Sequence, residues 1–417
     1  LSAITESKCT LLEGTTYILN NTATSYGGGL YVETAGTVVD ITGSKTHLIV
    51  EGNTAQNGGG VVGLPSTVIR ISSGARVDVI NNDASRGGGG LFFQVGILDI
   101  TGKDTVMVVD GNTAHSNVGG GINANGADVT LSSGARLDVT NNECASFGGG
   151  FSLSHGANFE IHGKDTCLAI ENNTASKGGG IAASATTGTT TVSVLSGAHF
   201  DIKNNYALTS GGGVFFYDGA NFILSGNQTH VAVDKNTAKG NGGGLVVSSK
   251  GKIEVSLGAN LDVTNNTAIT SDGGGLFLQD PGTVLSCSGT GSKVLINQNT
   301  AGLDGGGLRV HSGASVLLTK GIRFDVINNV ASRDGGGLSF FGINSRMDVT
   351  GTETRLFVEN NTASIGGGVS INPGGVIRIL SPTIFHGNTA SGGSGGGLAY
   401  DNLEGMLDGG SNCVTLS

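Results

Sequence analysis

The stretch that decides the fold is residues 358–369, VENNTASIGGGV. It consists of an apolar residue, two variable residues, Asn, a nearby Ala, a Gly-Gly-Gly triplet and a second apolar residue. This motif occurs thirteen times, and the last glycines of successive triplets are 29 to 33 residues apart, as from Gly121 to Gly150 and from Gly180 to Gly213. A repeat of that length, sustained from end to end, is typical of a solenoid.

One Asn is common to every copy of the motif. The residue three before it is always apolar, so we expect that residue to point into a core and the Asn to lie at a turn, where it tolerates left-handed backbone. Amides stacked from coil to coil can also bond to one another. The sequence therefore predicts a structural ladder of Asn21, Asn53, Asn82, Asn112, Asn142, Asn173, Asn205, Asn236, Asn266, Asn299, Asn329, Asn361 and Asn388.

The segments between triplets hold three short apolar–polar runs each, as in 91–94, 98–101 and 106–109. Alternation bounded by turn residues is typical of strands. We predict an all-β fold, a right-handed parallel β-helix solenoid with three strands per coil and about thirteen coils of ~31 residues. Two segment types alternate, which gives repeat pairs of about 60–63 residues within one domain, 1–417. One extra residue after Asn142 predicts a bulged turn in that copy.

The net charge, the hydropathy and the cysteine pattern argue against several classes of function. The net charge is −10, which argues against nucleic acid as a partner, and no apolar run approaches the ~20 residues that membrane insertion needs. Five cysteines without a CxxC pair argue against structural zinc and favour buried free thiols. The chain begins at Leu1 and stops within a coil, so we expect a segment of a longer protein, with flanking domains or end-to-end stacking.

The repeat resembles that of the chlamydial polymorphic outer-membrane proteins, which reads Phe-x-x-Asn followed by Gly-Gly-Ala and an aliphatic residue. Residues 385–388, FHGN, match its first half, and Gly367-Gly368-Val369 is similar to its second half. The resemblance covers nearly the whole chain. It implies a right-handed β-helix at the cell surface or outside the cell, used for adhesion or structure.

Candidate chemistry is sparse. The aspartates four before the motif Asn lie two coils apart, too far for the usual carboxylate pair of a glycosidase; they are Asp78, Asp138, Asp201, Asp262 and Asp325. The histidines share no column. Asp272, Asp304 and Asp334 precede three consecutive triplets, so their stacked carboxylates are a candidate cation site. We otherwise predict no catalytic residue, no cofactor and no enzyme.

Two surface features are further candidates. Asn-x-Thr sequons predict N-glycosylation in a eukaryotic secretory context, although Asn-Asn-Thr also suits a turn; they are Asn20, Asn172, Asn227, Asn265 and Asn360. In alternate coils the position four before the motif Asn is apolar and should point outward, which predicts an exposed patch and a lateral interface. Its members include Ile49, Val108, Leu295 and Phe357.

The function that fits best is a secreted or cell-surface structural β-helix, a building block of an appendage, filament or surface layer, or an adhesin stalk. Self-association or contact with other surface proteins is the expected partnership. One alternative is a glycan-binding module, because aromatic residues at equivalent places hint at an exposed ladder: Tyr31, Phe92, Phe215 and Phe277. A less favoured alternative is a polysaccharide lyase or hydrolase, since that chemistry also occurs on β-helices.

Overall fold

The computed structural model describes residues 2–3, 7–400, 406–409 and 414–416, and within these ranges the regular elements are all β-strands. The chain falls into two compact units, 1–206 and 207–417. In the described part there is accordingly no helix long and apolar enough to cross a membrane. The prediction of a single domain over 1–417 stays a prediction.

Sheet 1 contains Ser2–Ala3 and the strands that begin directly after the glycine triplets. In the first unit they are Ser2–Ala3, Leu30–Val32, Val61–Gly63, Leu91–Gln94, Ile122–Asn125, Phe151–Ser154 and Ile181–Ser184. In the second unit they are Val214–Tyr217, Leu245–Val247, Leu276–Gln279, Leu308–His311, Leu338–Phe341, Val369–Ile371 and Leu398–Tyr400.

Sheet 2 receives two strands from each coil, or one long strand in the first two coils. In the first unit they are Lys8–Leu19, Val38–Glu51, Val68–Ser72, Arg76–Ile80, Ile97–Thr101, Val106–Asp110, Asp128–Ser132, Arg136–Thr140, Asn158–His162, Cys167–Glu171, Thr191–Leu195 and His199–Lys203. In the second unit they are Asn221–Ser225, His230–Asp234, Lys252–Ser256, Asn260–Thr264, Val284–Ser288, Lys293–Asn297, Ser315–Thr319, Arg323–Ile327, Ser345–Val349, Arg355–Glu359, Gly375–Ile379, Thr383–His386, Met406–Gly409 and Val414–Leu416.

Sheet 3 contains short strands that directly follow the motif Asn. In the first unit they are Thr54–Asn57, Asp83–Gly87, Thr113–Ala114, Glu143–Cys144 and Thr174–Lys177, and Tyr206–Ser210 begins with that unit's last residue. In the second unit they are Thr237–Ala238, Thr267–Ala268, Thr300–Ala301, Val330–Ala331, Thr362–Ile365 and Thr389–Ser394.

Equivalent strands of successive coils pair in parallel and in register. Val106–Asp110, for example, pairs with Arg76–Ile80 on one side and with Arg136–Thr140 on the other. The predicted parallel β-helix, with about thirteen coils of ~31 residues, is therefore confirmed. From the third coil onward, the coils have the three predicted strands and, in addition, the short strand of sheet 3, whereas in the first two coils one long strand replaces the two strands of sheet 2.

The core follows from strict alternation along the sheet 2 strands. In Val106–Asp110 the side chains of Met107 and Val109 are buried, and those between them are only half-buried. Aromatic side chains fill the wider parts of the coil, and the rings of Phe151 and Phe159 stack with their centroids 4.8 Å apart. Burial of these apolar side chains is the main favourable contribution to folding.

The left-handed turn lies one residue earlier than the sequence argument placed it. The residue before the motif Asn has a positive φ, near 55° in Asn20, Asn172 and Asn265. The motif Asn itself does not, because its side chain must turn inward. Asn or Gly at the preceding position is thus explained by backbone conformation, since both tolerate the left-handed region.

The three glycines of each triplet are required for different reasons. Gly88 has a φ of +65°, which L side chains rarely adopt. A Cβ on Gly89 would collide with the backbone oxygens of Gly120 and Thr113 in the next coil. A Cβ on Gly90 would lie 2.7 Å from the oxygen of Gly121. The triplet therefore has no space for side chains between successive coils.

The copy with Asn142 has no bulged turn. Thr113 pairs with Glu143 and Ala114 pairs with Cys144, so Cys144 simply takes the place of the motif Ala. It lies in one buried cluster with Ala114 and Ala175. Cys144 and Cys287 are buried free thiols, Cys9 and Cys167 are half-buried free thiols, and Cys413 lies outside the described residues.

The motif Asn side chains form a continuous hydrogen-bonded column within each unit. Asn112 is representative: its backbone N–H and its Nδ2 both donate to Oδ1 of Asn142, at 2.9 and 3.0 Å. Its Nδ2 also donates to the carbonyl of Val79 at 2.9 Å, and its Oδ1 accepts both N–H groups of Asn82. The column runs from Asn21 to Asn205 and from Asn236 to Asn388.

We predict that Asn266→Leu lowers the free energy of unfolding of the protein by about 2–4 kcal/mol. The substitution removes the acceptor used by Asn236 and the donors used by Asn299 and by the carbonyl of Val233, and leaves these groups buried. Urea unfolding followed by circular dichroism measures the change.

The matched control is Asn260→Leu in the same coil. Asn260 is half-buried on the outer face of its strand, so the change should stay within about 0.5 kcal/mol. Equal effects of the two substitutions would contradict a structural role specific to the column.

Candidate functional site

The three acidic residues before consecutive triplets form a second, shorter column in the second unit. Oδ1 of Asp272 accepts the backbone N–H of Asp304 at 3.1 Å, and Oδ1 of Asp304 accepts the backbone N–H of Asp334 at 3.2 Å. Asn241 fills the same role one coil earlier, where it accepts the N–H of Asp272. These side chains thus help to hold coil to coil, as the motif Asn column does.

Two arginines, rather than a cation, compensate the stacked carboxylates. Arg333 binds Asp304 with both ends of its guanidinium, Nε to Oδ1 at 2.7 Å and Nη2 to Oδ2 at 2.6 Å. Arg309 is only 3% exposed; its Nη1 lies 3.2 Å from Oδ2 of Asp304 and also donates to Oγ of Ser339. The described residues contain no group of three or more His, Cys, Asp or Glu side chains arranged to hold a metal ion.

The cation site expected at Asp272, Asp304 and Asp334 is therefore not supported, because Asp304 already has its charge partners. Breaking such a buried pair would strongly destabilise the protein, since an uncompensated charge would remain.

Burial shifts the protonation equilibria of this cluster. It raises the pKa of Asp272, against the opposing effect of Arg309, and it raises the pKa of Asp334, with a further rise from Asp304. Burial lowers the pKa of Arg309 and of His311, and Arg309 lowers the pKa of His311 further. His311 is accordingly neutral at pH 7, because its pKa is lowered from an ordinary value that is already below 7.

A stack of rings borders the cluster. The ring of His311 lies between those of Phe277 and Phe341, with centroid distances of 6.1 and 5.4 Å. The guanidinium of Arg309 lies 5.4 Å from the centroid of Phe341. Phe341 is 41% exposed, so part of its side chain is open to solvent beside the charged groups.

These residues line a groove on the outer side of sheet 1, with a volume of about 560 Å³. Asn372 and Pro373 complete its wall. A neighbouring cavity of about 490 Å³ shares Asp334 and Asn372 with it, so the groove continues along the next coil. We call this feature the charged groove. Concave sites of this size are where proteins bind small ligands.

The aromatic ladder hinted at by the sequence is not exposed. Phe92, Phe215 and Phe277 are 8%, 8% and 4% exposed, and Tyr31 is half-buried. The first glycine of each triplet lies directly beside these side chains, as Gly88 does beside Cβ of Phe92, so the turn covers them. They do not offer a platform for a glycan.

The aspartates four before the motif Asn each have a basic side chain within ion-pair distance. Arg136 donates to both oxygens of Asp138 at 2.9 and 2.8 Å, and burial of Asp201 is outweighed by hydrogen bonds from His199 and Lys203, which lower its pKa. The same pattern pairs Asp78 with Arg76 and His47, Asp325 with Arg323, and Asp262 with His230.

Sequence reasoning missed the basic column beside these aspartates. His47, His199 and His230 all lie six before the motif Asn, so the statement that the histidines share no column is wrong. The signal was present, because residues two apart on a strand point to the same face. Arg309 was missed as well, although it is the one arginine at the second position after a triplet.

The apolar members of the same sheet 2 face are less exposed than predicted. Ile49, Val108, Leu295 and Phe357 point out of the coil but are half-buried, and Phe357 lies under the guanidinium of Arg323, 4.7 Å from its ring centroid. Phe357 is thus covered in part by a flanking basic side chain, and exposure of the four residues as one patch stays a prediction. The lateral interface itself stays a prediction.

All five sequon asparagines, at 20, 172, 227, 265 and 360, are exposed. Oδ1 of Asp234 accepts from Nδ2 of Asn265 at 2.7 Å. Exposure is necessary for modification, and N-glycosylation at these residues stays a prediction.

Comparison with known proteins supports the repeat interpretation. The sequence profile of the Chlamydia polymorphic membrane protein repeat matches residues 15–33, a stretch that includes Ile18, Asn21 and the triplet ending at Gly29. A relative described as a probable outer membrane protein, pmp20, of Chlamydia pneumoniae is 31% identical over 127 residues. The resemblance to the polymorphic membrane protein repeat is confirmed.

The extent of the matches is limited. The aligned region is 30% of this chain and spans 7% of the length of pmp20. A crystal structure of a hyper-glycosylated fragment of TibA, whose glycosylation is catalysed by TibC, aligns over 100% of both chains with 12% identity and a TM-score of 0.30.

We predict that Asp272→Asn raises the thermal unfolding midpoint at pH 7. The folded-state pKa of Asp272 is raised, so its ionisation above that pKa opposes folding, and an amide avoids this while its oxygen still accepts the N–H of Asp304. The gain should disappear below about pH 4, where the wild-type carboxyl is protonated in both states.

Asp128→Asn is the control, because Asp128 is exposed and has no ion pair within the described residues. Its midpoint should match the wild type at every pH. A lower midpoint for Asp272→Asn at pH 7 would mean that attraction to Arg309 outweighs the effect of burial.

Proposed function

We propose that this chain is a structural β-helix segment of a cell-surface or secreted protein, serving as a building block of an appendage, filament or surface layer, or as the stalk of an adhesin. The observation that carries the proposal is the coil-to-coil register of the motif within each unit, with the same Asn and triplet in each copy and an Ala in every copy but the one with Cys144. Repetition of this kind builds length, since each coil contacts only its neighbours.

The cell surface or the extracellular space is its location, in line with the outer-membrane relative that it resembles. Adhesion, self-association and contact with other surface molecules belong to the proposal. Such roles suit a repeat array, because successive coils present equivalent side chains at regular intervals.

A structural role is also supported by the state of the acidic residues. The aspartates of sheet 2 are paired with Arg, Lys or His, and Asp304 is held by two arginines. Such partners hold each carboxylate in one orientation, which suits stabilisation of the coil more than proton transfer. We therefore propose that the chain is not an enzyme.

Excision of one repeat pair tests the scaffold. Removal of residues 91–150 joins Gly90 to Phe151, so every strand keeps an equivalent partner. We expect the shortened protein to fold, to be displayed at the surface of the source cells, and to be labelled by antibody without permeabilisation, because stability in a solenoid is roughly a sum over neighbouring repeats.

Removal of 91–135 is the control, since it brings non-equivalent strands together and should prevent folding. Two outcomes would count against the proposal. One is an in-phase excision that fails to fold, and the other is labelling of the full chain only after permeabilisation.

A further inference from the structure

The charged groove of the second unit has polar atoms that the coil itself does not use. Nε of Arg309 has no hydrogen-bond partner among the described residues, and its nearest acidic oxygen is Oδ2 of Asp272 at 3.9 Å. Oδ1 of Asp334 also has no hydrogen-bond partner there. Both atoms belong to residues that line the groove. A buried donor and a buried acceptor left unpaired are costly, and a ligand that pairs with both would remove that cost.

The charges around the groove argue against ionic ligands of either sign. An anion would meet Asp272, Asp304 and Asp334, and Arg309 is already engaged by Asp304. A cation would meet the guanidinium groups of Arg309 and Arg333. A ligand charge that lies next to a protein charge of the same sign in a partly buried site makes binding less favourable. A neutral molecule with hydroxyl groups avoids both penalties, because each hydroxyl can donate and accept.

The shape of the site adds a flat apolar contact. The exposed part of Phe341 lies beside Arg309 and His311, and the groove is also lined by Asn372, whose side chain hydrogen-bonds that of Asp334. An aromatic face next to alternating donors and acceptors suits a ring that is apolar on its faces and polar around its edge. The continuation of the groove past Asp334 and Asn372 leaves space for a chain of such rings.

We propose that the charged groove binds a neutral pyranose residue within a glycan. Phe341 stacks on the sugar ring, Oδ1 of Asp334 accepts from one hydroxyl, and Nε of Arg309 donates to another. This site differs from the buried aromatic positions of the earlier coils, since its aromatic residue is exposed. Binding of a neutral glycan would specify the ligand class for the proposed surface role, and it rests on that role only for its biological meaning.

Binding of trisaccharides to the purified full chain tests the proposal. The probes are neutral trimers of glucose, galactose or mannose, an acidic trimer of galacturonate and a cationic trimer of glucosamine, measured by calorimetry and saturation-transfer NMR. We expect a neutral trimer to bind the wild type, and Phe341→Ser and Asp334→Asn each to weaken that binding about tenfold.

Ile343→Ser is the matched control, because Ile343 is 72% exposed, lies two residues from Phe341 and does not line the groove. Its affinity should stay within about twofold of the wild type. Circular dichroism melting establishes that each variant is folded.

Three results would overturn the proposal: no neutral trimer binds, a charged trimer binds more tightly than every neutral one, or folded Phe341→Ser and Asp334→Asn both bind as the wild type does. The scaffold proposal is unaffected by any of them, since it is judged by folding and surface labelling.

Discussion

The bond from one motif Asn to the next is the constraint on which the rest of this structure depends. A single side-chain oxygen of the next coil, Oδ1 of Asn142, accepts from both the backbone N–H and the side-chain amide of Asn112. The same amide then binds a carbonyl of the preceding coil. Because the column is buried, a slip of one residue would leave several polar groups without partners, which is far more costly than losing one exposed bond. The coils therefore stack in a single register.

The glycine triplets and the acidic column are consequences of the same close stacking. At the distance between coils that parallel strand pairing fixes, the triplet has no space for a Cβ at Gly89 or Gly90. The position just before the triplet can then use a side-chain oxygen to hold the next coil, as Asp272 does for Asp304. Repeating an acid in three coils concentrates charge, and Arg309 and Arg333 compensate it. The acidic column and its two arginines thus form a polar groove in an otherwise regular surface.

Most of the fold could be predicted from the sequence, because period-two runs and an invariant Asn at fixed spacing carry it. The candidate functional site could be predicted less completely from the sequence. Asn141 and Asn142 share the same chemistry, and only backbone geometry shows that the first is left-handed and the second faces inward. Likewise, alternation shows that Phe92 points outward but does not show that a turn covers it. Arg309 departs from the repeat, and a pattern averaged over copies conceals such single departures.

Side-chain amide hydrogen exchange, resolved by NMR, tests the central role of the Asn column most directly. Adjacent asparagines provide the comparison within one residue type. The account predicts that the amides of Asn142, Asn266 and Asn329 exchange only when the coil unfolds, whereas those of the exposed residues just before them, Asn141, Asn265 and Asn328, exchange far faster. Equal exchange rates for the two sets would contradict the account, because the column would then be open to water in the native state.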